Sequence, residues 1–159
     1  VYLDQMKDLL RRHPKTTIIW AHTGLGRVVH PVRSQAAEAA TERSPNHRAI
    51  VQAILEDPTL EHVYFDISWD EVAKYLVATP ESVKNSADLI NRFPDRFLFG
   101  TDEVAPPDQD KYVKIYVQYE PLWEKLTVAT SEKVRKKNYE RLFDAARKNV
   151  RAWEAANVK

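Results

Sequence analysis

Residues 16–26 read Thr-Thr-Ile-Ile-Trp-Ala-His-Thr-Gly-Leu-Gly (TTIIWAHTGLG), an apolar, partly β-branched run that breaks abruptly into a histidine and two glycines. Thr16 to Ala21 has no polar alternation, the pattern of a strand buried on both faces. The same design recurs twice. His62 to Ile67 (HVYFDI) runs into Ser68-Trp69-Asp70, and Arg96 to Gly100 (RFLFG) runs into Thr101-Asp102-Glu103. Helical patterns fill the intervals. Leu3 to Arg12 carries Leu3, Met6, Leu9 and Leu10 at helical spacing and stops at His13-Pro14. Ser44 as N-cap and Pro45 at the first helical position open a helix with Ile50, Val51, Ile54 and Leu55, ending before Pro58. Ser68 with Glu71 resembles a capping box for a helix through Val77, and Thr79-Pro80 starts another with Val83, Ala87 and Ile90, closed by Pro94. Beyond the third strand and the polar run Ala105 to Asp110, the pattern is helical: Tyr112 to Tyr119, a break at Pro121, then a long helix from about Glu132. That helix is expected to turn Val134, Leu142, Phe143, Ala146, Val150 and Trp153 inward.

Strands separated by helical crossovers pair in parallel, so the class is α/β. The three strands should lie side by side in sequence order. They could form a piece of a doubly wound sheet or of a (β/α)₈ barrel. Because a barrel needs about 250 residues, a chain of 159 would supply only about its last three units.

With 43% apolar and 10% aromatic residues the chain can build a packed core. Its 24 basic and 23 acidic residues leave a net charge of +1, so no global field draws it to nucleic acid or an anionic membrane. No apolar stretch approaches the roughly 20 residues that span a bilayer. A soluble chain is expected, with the cytoplasm the favoured compartment, although a cysteine-free chain suits any. Absent cysteine, any metal must be held by His, Asp or Glu. The chain opens on Val1 in an amphipathic helix rather than a signal sequence, so residues upstream are expected.

Chemistry in parallel α/β folds sits at the C-terminal ends of strands. Each apolar run here ends at a residue that titrates or binds metal: His22, Asp66 and Asp70, and Asp102. The chain has only three glycines, Gly24, Gly26 and Gly100, where an average composition gives about 7%, and all three flank His22 or Asp102. His22 and Asp102 are therefore the candidate functional pair, expected at the same end of the sheet. His13, His30, His47 and His62 read as structural or solvated. A rival motif occupies the first turn: Gly24-Leu25-Gly26-Arg27-Val28-Val29 approaches the dinucleotide fingerprint. Its third position is a bulky Val29, and the next strand-end acid, Asp66, lies 40 residues past Gly26 instead of about 20.

Four segments, HPKTTIIWAHTGLGR (13–27), HVYFDIS (62–68), FPDRFLFGTDEVAP (93–106) and KVRKKNYERLF (133–143), fall in an order and spacing that resembles the C-terminal half of the amidohydrolase-related family of metal-dependent hydrolases. Asn138 to Phe143 resembles the family's N-x-x-x-L-F closing helix. The resemblance implies strands six to eight of a distorted (β/α)₈ barrel, with residues 1–159 a single partial domain whose N-terminal half is absent. It implies that Asp102 is the strand-eight aspartate, which binds or faces the metal and handles the proton of the attacking water. His22 matches the strand-six histidine, a metal-proximal residue that orients or polarises water or substrate, so the resemblance makes His22 and Asp102 the expected catalytic and metal-binding residues. The family's H-x-H (or E-x-H) pair on strand one and its strand-five histidine have no counterpart here.

The function so implied is metal-dependent hydrolysis of an amide, ester or lactone in a small-molecule substrate. The expected cofactor is a divalent cation, zinc in first place, whose other ligands lie outside this chain; the isolated chain is expected to be inactive. Arg27 is a candidate anchor for a substrate carboxylate, because guanidinium binds carboxylates in bidentate fashion, and Trp69 is a second substrate-binding candidate. The alternatives are a non-oxidative, metal-dependent decarboxylase on the same scaffold, or a nucleotide-binding α/β module using the Gly24 turn. Neither nucleic acid nor membrane is an expected partner. Unpaired strand edges would favour association into a homo-oligomer.

Overall fold

The structure, a computed structural model, describes residues 3–25 and 47–158. Helix α1 (Leu3–Arg12) leads into β1 (Ile18–Trp20) and a tight turn at Ala21–Gly24. Helix α2 (His47–Glu56) and a single turn at Pro58–Leu60 precede β2 (Val63–Asp66). Two helices, α3 (Asp70–Leu76) and α4 (Pro80–Arg92), then cross to β3 (Phe97–Leu98). The chain continues through α5 (Gln109–Gln118), α6 (Glu120–Trp123) and α7 (Val128–Glu132), passes a π turn at Lys133–Lys137, and ends in α8 (Asn138–Asn157).

All three strands are parallel and lie in the order β1-β2-β3, as helical crossovers require. Trp20 pairs with Phe65, and Phe65 with Phe97, so one aromatic row crosses the sheet with ring centroids 6.1 Å apart at each step. β2 is the central strand of the three; Val63 and Phe65 are fully buried, as is Ile67 just beyond it. β1 is only half-buried along its length, not buried on both faces as its composition suggests. Among the described residues it lies at the edge of the sheet, paired with β2 on one side only.

Helix ends explain where several elements begin. Thr79 and Ser82 form a reciprocal capping box for α4, each side chain accepting from the other's backbone amide at 3.0 and 2.9 Å, with Pro80 at the first turn. Asp108 caps α5 by accepting from the Lys111 amide at 2.8 Å, which starts that helix three residues before Tyr112. The expected box of Ser68 and Glu71 is not formed. α3 begins at Asp70 without a side-chain cap, Glu71 pairs with Lys74, and the Ser68 hydroxyl faces His22 instead. The start of α2 expected at Ser44-Pro45 lies outside the described residues.

Two polar side chains, Arg96 and the buried Asn138, tie the frame together. Arg96 donates to the carbonyls of Val63 and Leu60 at 2.6 and 2.7 Å, pinning the entry of β3 to the entry of β2. Asn138 is 1% exposed and gives both amide hydrogens to backbone, to Pro94 at 2.7 Å and to Phe97 at 2.8 Å. The Phe99 amide donates to the Val134 carbonyl in the π turn at 3.0 Å, so β3 is fastened to the C-terminal helices at three points.

The expected inward face of the last helix is corrected. Val134 is buried, but Phe143, Val150 and Trp153 are 45%, 52% and 62% exposed. Helical periodicity says which residues share a face, not whether a neighbour covers it, and among the described residues this face is left largely open.

Replacing Asn138 with Leu should lower stability by about 2–4 kcal/mol, because two buried carbonyls lose their donors without losing volume at the site. Urea unfolding checks this; a midpoint unchanged from the parent would contradict the role given to Asn138.

Candidate functional site

The chain leaves each strand through backbone that L side chains rarely adopt. At the end of β1, His22 and Thr23 have φ of 55° and 53°, followed by Gly24 at 76°. At the end of β2, Trp69 has φ of 82°, and beyond β3, Asp102 has φ of 53°. Each left-handed non-glycine residue costs roughly 1–3 kcal/mol and persists only where its surroundings over-determine it.

Those surroundings are specific. Thr23 is buried, and its hydroxyl donates to the His22 carbonyl at 2.7 Å, while the Leu25 amide donates to the same carbonyl at 2.9 Å. His47 Nε2 donates to the Thr23 carbonyl at 2.9 Å, and its ring lies 5.8 Å from that of Tyr75. Gly24 is required twice over, by its positive φ and because a Cβ there would sit 2.9 Å from the Trp20 indole. Gly100 has no such requirement, since a Cβ there would make ordinary contact with Ser68 at 3.5 Å and the left-handed residue nearby is Asp102. At the β2 exit, Asp66 Oδ1 accepts from the Ser68 amide at 2.5 Å, and the Tyr119 hydroxyl donates to the Ile67 carbonyl at 2.5 Å. Burial pushes the Tyr119 phenol up, with the carboxylates of Asp66 and Asp70 adding to the effect, so it stays a donor.

The three exits are joined to one another. His22 Nδ1 is 3.1 Å from Ser68 Oγ, Trp69 donates its amide to the Thr101 carbonyl at 3.2 Å, and His22 Nε2 is 3.5 Å from Asp102 Oδ2. Trp69 covers one side, its ring 5.1 Å from the imidazole and tilted by 57°. His22 and Asp102 remain open to solvent, their side chains 27% and 42% exposed.

Of the sequence candidates, then, His22, Asp102 and Trp69 are together, and Arg27 lies outside the described residues. His62 is tied to the Leu10 carbonyl at 3.0 Å, in keeping with a structural reading. His47 is structural too, but as the brace of the turn that carries His22. Ser68 was hidden by its resemblance to a helix cap, Asp66 was legible as a strand-end acid but not as the acceptor of the Ser68 amide, and Tyr119 carries no local signal of its role.

The 3.5 Å between Nε2 and Oδ2 is longer than an ordinary N–H···O bond of about 2.7–3.2 Å. It is close to the separation of about 3.4 Å that two donors adopt on one tetrahedral ion with bonds of about 2.0–2.2 Å. An imidazole nitrogen and a carboxylate oxygen are also the donor types that suit zinc. The pair therefore fits as two ligands of one divalent cation. Among the described residues no group of three or more His, Cys, Asp or Glu side chains is placed to complete such a site.

A family model described as amidohydrolase matches residues 2–145. No curated protein and no solved structure matches the chain. No helix among the described residues is long and apolar enough to cross a membrane.

Burial holds the His47 imidazole below its ordinary value of about 6.5, against the smaller opposite effect of its bond to Thr23. As pH falls below about 6.5 the unfolded chain takes up this proton before the folded one. The contribution of His47 is thus complete above that pH and is lost as pH falls toward the lowered folded value. The stability difference between pH of about 7.5 and about 5.5, read from urea midpoints, should be smaller in His47→Gln than in the parent. Equal pH dependence in the two proteins would contradict a buried, neutral His47.

Proposed function

The chain belongs to the amidohydrolase family, and from that premise we propose that it is the C-terminal part of a (β/α)₈ metal-dependent hydrolase, with His22 and Asp102 as its contribution to a metal-assisted active site. The observation that carries this reading is the 3.5 Å approach of His22 Nε2 to Asp102 Oδ2 across the ends of β1 and β3. Three parallel strands in sequence order, with the candidate residues on their C-terminal ends, support the barrel assignment.

The family is generally metal-dependent, and zinc is our choice of ion for an imidazole and carboxylate pair. When bound, the ion supplies a water of lowered pKa and a Lewis acid beside the scissile carbonyl. The chain's own residues do the rest. Asp102 accepts the proton of the attacking water at its carboxylate and returns it to the leaving nitrogen or oxygen, so no net charge is left in the site. His22 presents Nε2 to the site while Nδ1 is held by Ser68, which fixes the ring against rotation. Trp69 gives the substrate a flat apolar wall beside the imidazole. Arg27, just past the Gly24 turn, is our candidate anchor for a substrate carboxylate. Left-handed backbone at His22, Trp69 and Asp102 holds these groups in place before substrate arrives, so little reorganisation is left for the reaction.

Asp102→Asn keeps size and shape while removing the charge and the base. In the complete, metal-loaded enzyme, turnover of amide, ester or lactone substrates should fall by about 10²–10⁴ at nearly unchanged stability. His22→Asn should also lower kcat, by less. Activity of Asp102→Asn within a few-fold of the parent would reduce Asp102 to a turn residue and remove the basis for the assignment.

A further inference from the structure

We propose that the outer half of α8 is the contact surface for a second copy of this chain, the two helices pairing antiparallel across a seam of Ala146, Val150 and Trp153. Asn138 and the π turn fasten the start of α8 to the third strand. Beyond the half-buried Leu142 the helix stands clear, with every residue from Phe143 to Trp153 exposed among the described residues. A helix of this length without a neighbour is marginal in water, and a stripe of apolar side chains along it is stabilised by a helical partner. The amidohydrolase match ends at residue 145 while α8 runs on to Asn157, so Val150 and Trp153 lie past the matched domain.

The stripe is spaced as a coiled-coil seam. Tyr139, Phe143, Ala146, Val150, Trp153 and Asn157 follow one another at alternating steps of four and three residues, the repeat by which one helix packs along another. The positions beside the seam choose the partner. On one flank lie Glu140, Arg147 and Glu154, seven residues apart and alternating in sign; on the other lie Leu142, Asn149 and Ala156, which carry no charge. Parallel helices bring unlike flanks together, charged against uncharged, and gain no ion pair. Antiparallel helices bring like flanks together, so Arg147 of one copy meets Glu154 of the other, twice about a single two-fold axis. An unrelated helix would need this pattern in complementary form, and a second copy already has it. The axis then passes between Val150 and Arg151, on the exposed part of the helix. Pairing Arg147 with Glu140 instead would centre it between Phe143 and Asp144, beside the body that half-buries Leu142. Within one copy Glu154 accepts from Arg151 at 2.5 Å, an exposed pair of little energy, and a carboxylate has room for a second guanidinium.

The test is sedimentation velocity on the intact protein and its charge-swap variants. The overlap is small for a protein interface, so the parent should pass reversibly from monomer to dimer as its concentration rises from about 1 to about 200 μM. Trp153→Glu, at an exposed position whose change leaves the core intact, should stay monomeric throughout. Arg147→Glu and Glu154→Arg each set like charges against each other in both pairs, and each should dimerise about 10-fold or more weakly than the parent. An equimolar mixture of these two variants should dimerise about as well as the parent, because every pair is then Glu against Arg, and so should the double variant Arg147→Glu/Glu154→Arg. Damage to folding or to helix stability would not be repaired by mixing. A parent that stays monomeric at every concentration, whether or not another part of the chain covers Trp153, would overturn the proposal. So would association that these substitutions leave unchanged, or a mixture no more dimeric than its components.

Discussion

The chain leaves all three strands through left-handed backbone at non-glycine residues, His22 and Thr23 after β1, Trp69 after β2, and Asp102 and Ala105 after β3. The strain, roughly 1–3 kcal/mol at each, must be offset by the frame around it. Much of the polar interior serves that purpose. Thr23 and His47 hold the first exit, Asp66 and Tyr119 hold the second, and the Trp69 amide binds the second to the third. Farther down, Arg96 and Asn138 fasten the strands to one another and to the last helix. Loosening any of these would let a strand end relax toward ordinary backbone and separate the side chains that the turns bring together.

The site is partly wet and its donors are few, which separates it from a buried ion pair. An imidazolium and a carboxylate seeking each other would be expected at ordinary hydrogen-bond distance; here they stand 3.5 Å apart with both side chains still accessible. In the reading proposed here, that separation leaves room for a cation between the two side chains. Ser68, on the far side of the imidazole, gives the ring a second contact at 3.1 Å.

Much of the fold could be read from residue pattern. α1 spans Leu3–Arg12 as its periodicity says, the three apolar runs are the three strands, and the Thr79-Pro80 start of α4 follows from capping chemistry. His22 and Asp102 were legible because short apolar strands running into polar turns mark strand exits, even though the glycine argument held for Gly24 and not for Gly100. What was not legible depends on tertiary neighbours. Ser68 followed by Glu71 has the spacing of a cap, yet the local backbone at Trp69 starts the helix one residue too late for Ser68 to serve it. Periodicity gave Phe143, Val150 and Trp153 a common face without saying that it would stay exposed. His47 looked like any residue in a helix's first turn, since its partner Thr23 is 24 positions away.

The most direct measurement of the central claim is anomalous diffraction at the zinc edge from crystals of the intact protein grown with Zn²⁺. The account requires a peak between the ends of β1 and β3, about 2.0–2.2 Å from both His22 Nε2 and Asp102 Oδ2. A zinc-saturated crystal with no peak there, and with His22 and Asp102 drawn into a direct hydrogen bond, would contradict it.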